Sequence, residues 1–408
     1  MSTSSAPTTA TAPFPLGRLL VLTGAIFVSV SSEFLPTGLL PDMARDLDVS
    51  ESRVGLLVTI FALTVVVSTA PLAAITHRYS RKWLMVVLLG IFAVANVLAG
   101  VAPSYEFLVG ARILGGLAHG LFWAVTGPYA SRLVPRTQLA KAISITNAGG
   151  TAAFILGVPV GTALGHALGW RAAFVVMALV VVVFAALVVL YLPPVEHRVP
   201  LATGEIATSA RKDPTLPGIV IVCLTVVLVV TGYNVFSTYI APWSIEVAGI
   251  VPDLVPVILL VNGIGGALGL ALAAAFGDRA PQATLIAMLV GVGASMAAVS
   301  IWGNGFVAAL ILLALWSVSF GGIPAIMHAR ILHTASLRLR DIGAAWLTTA
   351  FNVAIAVGAL VGGLLLDEVG IEVLPWAAVL LFVCALVFVL LTDRIRLAPH
   401  SGEQRSVA

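Results

Sequence analysis

Charged side chains are scarce in this sequence. Asp, Glu, Lys and Arg make up 10% of the 408 residues, against roughly a quarter in an ordinary soluble domain. With 60% hydrophobic residues the chain could not cover itself with polar groups in water, whereas lipid favours an apolar surface. Cysteine is nearly absent: Cys223 and Cys384 both lie in apolar runs, so neither a disulfide framework nor a thiolate metal site is implied. No Gly-x-x-x-x-Gly-Lys-Ser/Thr loop occurs, which argues against ATP as a driving force. The seven histidines form no ligand cluster, so no metal is expected. No soluble segment is large enough for a catalytic site, so the chain is not read as an enzyme. The basic loops are too short and scattered for nucleic acid.

What the sequence has is a series of apolar runs near twenty residues, the length a ~30 Å hydrocarbon core requires. They fall at about 16–40, 54–76, 83–102, 106–129, 142–166, 172–192, 218–241, 254–276, 283–302, 306–328, 342–366 and 374–392. This predicts an all-α integral membrane protein of twelve transmembrane helices. Residues 1–15 carry no charged side chain and no basic region of a signal peptide; they are expected to form a disordered tail.

Charge orients the spans. With both ends in the cytoplasm, the inner segments hold Arg18; Arg78, Arg81, Lys82; Arg132, Arg136, Lys141; Arg198, Arg211, Lys212; Arg279; Arg330, Arg338, Arg340; and Arg394, Arg396, Arg405. The outer loops hold only Arg45, Arg53 and Arg171. This bias predicts a multi-pass protein of the cell membrane (inner or plasma) with cytoplasmic N- and C-termini.

The longest inner connection, 193–217, divides the spans into two bundles, 16–192 and 218–393, followed by a cytoplasmic tail at 394–408. A shift of 201 residues aligns the bundles: Pro41 falls on Pro242, Arg78 on Arg279, Gly90 on Gly291, Gly120 on Gly321, Gly157 on Gly358 and Gly161 on Gly362. Two parallel six-helix repeats are a secondary-transporter design, with substrate bound near the midplane between them.

Glu33 is the only acidic residue well inside a span, and Arg112 the only basic one. Glu33 lies eight residues before Pro41, roughly 12 Å from the outer end at 1.5 Å per residue. A carboxyl near the bilayer centre that can be neutral or charged is what a proton-coupled carrier needs. The bland alternative is a glutamate bonded structurally or reaching the outer interface. Gly116, His119 and Trp123 follow Arg112 at helical spacings and share its face. Arg112 either senses Glu33 through a buried hydrogen-bond network or ties helices together. His119 relays protons, bonds a substrate hydroxyl, or packs. Asn234 occupies the repeat position of Glu33 and cannot titrate, so the first half is expected to carry the proton. Gly157, Gly161 and Gly165 recur every four residues and let two helices approach closely.

His77-Arg78-Tyr79-Ser80-Arg81-Lys82 resembles the loop signature of the major facilitator superfamily, with His77 in place of the acid and Ser80 in place of the glycine. Gly277-Asp278-Arg279 keeps more of that signature, and Arg112-Ile-Leu-Gly-Gly116 is similar to the superfamily's span-4 motif. Gly157-Val-Pro159-Val-Gly161, then Gly165, resembles the antiporter motif of its drug:proton branch. Ser-Glu33-Phe-Leu-Pro-Thr-Gly-Leu-Leu-Pro41, Ala118-His119-Gly-Leu-Phe-Trp123 and Phe351-Asn352-Val-Ala-Ile-Ala-Val-Gly358 look most like bacterial sugar efflux transporters. The resemblance implies a proton-coupled exporter of small sugars or sugar-like metabolites, with a chloramphenicol-like drug as the alternative substrate. Uptake is less favoured, and no signalling domain suggests a receptor. It implies proton coupling at Glu33 and Arg112, and a cavity lined by His119, Trp123, Tyr233, Asn234, Tyr239, Trp316 and Phe320. It also implies an inner gate at His77, Arg78, Arg81, Asp278 and Arg279, and a seam between the halves at Gly157, Pro159, Gly161 and Gly165. The expected partners are a small molecule, protons and the bilayer, with no cofactor beyond the proton gradient. The expected working unit is a monomer.

Overall fold

The computed structural model describes residues 14–195, 213–336 and 338–397. Residues 1–13 and 398–408 of the expected tails and most of the 193–217 connection therefore lie outside the described residues, and the last helix runs on to Leu397, past the expected start of the C-terminal tail at 394. Secondary structure among the described residues is helical throughout. Twelve helices are long and apolar enough to cross a membrane. Spans 1–6 are Leu16–Leu47, Glu51–Thr76, Arg81–Gly100, Tyr105–Ser131, Lys141–Leu168 and Trp170–Tyr191; spans 7–12 are Leu216–Ser237, Pro252–Phe276, Pro281–Trp302, Phe306–Thr334, Ile342–Glu368 and Val373–Asp393. In hydrocarbon every backbone N–H and C=O must be bonded within the protein, and a helix does this within one segment. Ser50 and Ser104 cap the starts of spans 2 and 4, their hydroxyls accepting from the N–H of Arg53 and Phe107.

Prolines account for most departures from the expected lengths. Span 1 runs on through Pro36 and Pro41 to Leu47, ending on Asp48 at φ 51°. Span 7 stops at Ser237 and a short helix, Ile240–Glu246, follows. Pro242 has no N–H for the carbonyl of Thr238, so the ladder breaks there. Within span 5, Ala153–Gly157 is a π-helical turn immediately before Pro159. The proline ring would strike the carbonyl of Ile155, and the wider turn removes that clash.

Close contacts between the two bundles lie toward the end away from the basic loops. Thr59 Oγ1 of span 2 donates to Ala356 O of span 11 (3.1 Å). Tyr239 is buried and donates to Ala359 O (2.8 Å), while Gly55 and Gly363 leave room for its ring. Span 8 meets span 5 at Gly263, where a Cβ would come within 2.7 Å of Ile155 Cα. Toward the other end, Thr348 and Thr349 of span 11 and His328 of span 10 are exposed, and Asn352 of span 11 is half-buried. An ionisable side chain exposed inside a span faces water rather than lipid. His328, which stacks on Phe351 of span 11, therefore marks an aqueous cleft on the basic-loop side.

Candidate functional site

The polar centre of the first bundle joins spans 1, 3 and 4. Ser29, Ser32 and Glu33 lie on one face of span 1 and are buried. Arg112 and His119 face them from span 4 and are buried as well. Ser32 Oγ donates to Asn96 Oδ1 (3.0 Å), and Asn96 Nδ2 donates to Phe92 O (2.8 Å), which fixes span 3 to the group.

Arg112 does not bond the carboxyl. It donates to two backbone carbonyls, Ser32 O (2.9 Å) and Glu33 O (2.7 Å), with its guanidinium 4.3 Å above the Phe61 ring. The reason is four residues downstream: the helical donor to Ser32 O would be residue 36, and Pro36 has no N–H. Arg112 supplies the bond that the proline removes. Of the two roles open in the sequence, the tie between helices is the one these bonds describe, and the tie ends beside Glu33.

The carboxyl turns to His119 instead. Glu33 Oε2 stands 3.3 Å from His119 Nε2. Trp123 Nε1 donates to that same Nε2 (2.8 Å), and Nδ1 contacts Ser29 Oγ (3.0 Å). Phe61 and Phe92 present ring edges to the imidazole. Glu33 is fourteen residues from the end of span 1 at Leu47, about 21 Å along the axis, and so lies near mid-depth.

The second bundle places an aromatic stack near the corresponding position. Tyr233 stacks between Phe320 (3.8 Å) and Trp316 (4.6 Å), and Phe236 meets Trp316 edge-on. Trp316 is fully buried; it underpins the stack rather than lining an open cavity, because the neighbouring rings cover both its face and its edge. Asn234 is likewise buried and donates to Val230 O of its own helix (2.9 Å). Tyr233 and Phe320 are half-buried. Sequence reasoning quoted Asn352 only within a motif and missed His328, which stacks on Phe351 (5.4 Å). The available signal was a polar side chain inside an apolar run.

At the basic-loop end, His77 Nδ1 lies 2.6 Å from Ala74 O, and Arg78 sits over Tyr79. Arg81 Nε is buried, and Arg132 is near enough to act on its charge. Asp278 lines a cavity of about 570 Å³ with Gln282, Arg330, His333 and Asp393, beside Arg279 in sequence. An Arg330–Asp393 ion pair joins spans 10 and 12 across it.

The glycine series needs correcting. A Cβ at Gly157 would overlap Ser31 Oγ, one at Gly161 would reach Leu35 Cδ1, and one at Gly165 would overlap Leu39. All three face span 1 of the same bundle. Their counterparts Gly358 and Gly362 face Asn234 and Val235 of span 7 and Tyr239 just beyond it. The expected seam between the halves does pass through span 5, but at the π-helical turn before Pro159, against Gly263. Spacing of glycines shows that two backbones approach; it does not show which two.

The sequence pattern of the Major Facilitator Superfamily matches residues 22–344. The chain belongs to this superfamily. A probable sugar efflux transporter of Helicobacter pylori (strain G27) is 28% identical over 360 residues, 88% of this chain and 90% of that protein. One of Mannheimia succiniciproducens is 26% identical, over 92% of this chain and 93% of that one. An uncharacterized MFS-type transporter of Bacillus subtilis (strain 168), YtbD, is 31% identical over 95% of this chain and 97% of its own length. Among solved structures, an inward-facing bacterial homolog of the human lysosomal transporter Spinster covers 94% of this chain and 98% of its own at TM-score 0.75 and 17% identity. The nucleoside transporter NupG covers 93% of this chain and 99% of its own at TM-score 0.75 and 13% identity. The superfamily member described here is thus a multi-pass membrane secondary transporter, not an enzyme. Among its described residues, no cluster of His, Cys, Asp and Glu could hold a metal ion.

Proposed function

We propose that this transporter exports small sugars or sugar-like metabolites from the cell in exchange for protons, by alternating access. The observation that carries the proposal is the Glu33 carboxyl, buried at mid-depth with His119 at 3.3 Å and Arg112 anchored to its own backbone. An intramembrane carboxyl without a fixed cationic partner is free to gain and lose a proton, and each unit charge moved across the membrane is worth about 2.3 kcal/mol per 100 mV. With the basic loops cytoplasmic, Thr348, Asn352 and His328 would line the cleft from which substrate is taken up. A proton entering from outside binds at Glu33, the halves rock, and the proton leaves inward as substrate enters the cleft. The half-buried Phe320 ring at the end of the stack offers a face for sugar C–H groups, with hydroxyl and amide partners on span 11. The relatives described as probable sugar efflux transporters support the substrate class.

The test is purified protein in proteoliposomes with an imposed pH gradient and a panel of labelled sugars, with a chloramphenicol-like drug included. The expected result is sugar movement opposite to proton flow, lost in Glu33→Gln while substrate exchange without a gradient persists. Undiminished gradient-driven transport in Glu33→Gln removes Glu33 from the mechanism. Movement of the drug alone transfers the reading to drug efflux.

A further inference from the structure

His119 Nε2 has two claimants. The Trp123 indole N–H reaches it at 2.8 Å from one side, and the Glu33 Oε2 atom stands 3.3 Å away on the other. An indole nitrogen only donates, so Nε2 must present its lone pair to Trp123. The imidazole proton then sits on Nδ1 and is donated to Ser29 Oγ at 3.0 Å. With a lone pair on Nε2, an ionised Glu33 would set one acceptor against another. The single Nε2 lone pair is already taken by the indole, so Oε2 stands beside Nε2 without a hydrogen bond to it. The alternative, an imidazolium donating from Nε2 to a carboxylate, would drive Nε2–H against the indole N–H. In this arrangement Trp123 excludes an ion pair between Glu33 and His119.

We propose that Trp123 is a positioning residue for proton coupling: while its indole holds His119 Nε2, the site keeps its proton on Glu33, and when the indole swings away, Nε2 is free to take that proton. In that step the Oε2–H bond breaks, an Nε2–H bond forms, and the products are a carboxylate and an imidazolium. Trp123 is half-buried, whereas His119 and Glu33 are sealed in, so it is the member of the trio that a bound molecule can touch and displace. The charged or titratable neighbours of His119 are Glu33 from span 1 and Arg112 from its own span; spans 2 and 3 present Phe61 and Phe92, which do not ionise. This inference rests on the proposed proton-carrier role of Glu33.

The experiment is an infrared pH titration of the intact protein in lipid, following the C=O stretch of a protonated buried carboxyl, with Glu33→Gln identifying the band. Trp123→Phe removes the competing donor and keeps an aromatic ring. A neutral hydrogen bond of about 1 kcal/mol converts to somewhat under one pH unit. Freed from that bond, Nε2 competes for the Glu33 proton, so the C=O band should be lost at lower pH, its midpoint falling by about half to one unit. Benzothienylalanine at position 123, which replaces N–H by sulfur in the same bicyclic frame, should give the same fall, and it covers the case in which the phenylalanine variant does not fold. In a His119→Phe background the change at position 123 should move nothing. A midpoint unmoved by loss of the indole N–H, or moved equally with and without His119, overturns the role of Trp123 alone. The absence of any carboxyl band that Glu33→Gln removes overturns the carrier reading beneath it.

Discussion

The bonds from Arg112 to the carbonyls of span 1 beside Pro36 make a quantitative prediction. Arg112→Leu removes donors at 2.9 and 2.7 Å from the carbonyls of Ser32 and Glu33, both in a buried region. Hydrogen bonds from a charged donor contribute about 1.5–3 kcal/mol each. Part of that loss is returned because the guanidinium need no longer be desolvated, leaving a net cost on the order of 3 kcal/mol. Pro36→Ala restores an N–H four residues after Ser32, so one of the two orphaned carbonyls regains a helical donor. In the Pro36→Ala background the cost of Arg112→Leu should therefore shrink by about 1–2 kcal/mol. The assay is a double-mutant cycle on the purified protein in mild detergent, with unfolding driven by a denaturing detergent and followed by circular dichroism. Equal cost in the two backgrounds would refute the claim that Arg112 substitutes for the missing proline N–H. The same cycle separates structure from mechanism, because Glu33→Gln leaves both carbonyl bonds in place and should cost far less stability.

Other expectations follow from the packing. Gly161→Leu forces a side chain against Leu35 within one bundle and should cost about 1–3 kcal/mol of stability. Gly263→Leu instead strikes the π-helical turn of the other bundle; it should spare bundle stability and disfavour the conformation described here, seen as slower substrate exchange and altered cross-linking between spans 5 and 8. A cysteine placed at Thr349 should react with a membrane-impermeant thiol reagent from the side of the basic loops, and protection on that side would contradict both the cleft and the orientation. Asp213, at the entry to span 7, accepts from the Thr215 side chain and backbone and from Ser336 Oγ (2.7 Å), which holds its carboxyl below the usual range. A depressed carboxyl stabilises above its unfolded value and loses that contribution as pH falls through the folded one. The tie between the central connection and the span 10–11 loop should thus loosen only in acid, and hydrogen exchange at Ser336 N–H should show the onset at higher pH when Ser336→Ala removes one donor.

The sequence by itself determined the twelve spans, because a bilayer requires long apolar segments that satisfy their own backbones, and hydropathy read in one dimension records both. It also singled out Glu33 and Arg112, since a charge inside a span is costly enough that its rarity is a signal. Periodicity put Arg112, His119 and Trp123 on one face. What lies across from a face is a property of a second helix, and only the tertiary structure decided it. The sequence left Arg112 either to sense Glu33 or to tie helices; the guanidinium goes to the Ser32 carbonyl that Pro36 left free and to that of Glu33, and the carboxyl lies beside His119. The glycines of span 5 met span 1 rather than the other bundle, and Trp316 became the floor of an aromatic stack. Spacing along a helix fixes direction about that helix's own axis; the partner depends on how whole helices cross, which is settled by the packing of every span at once.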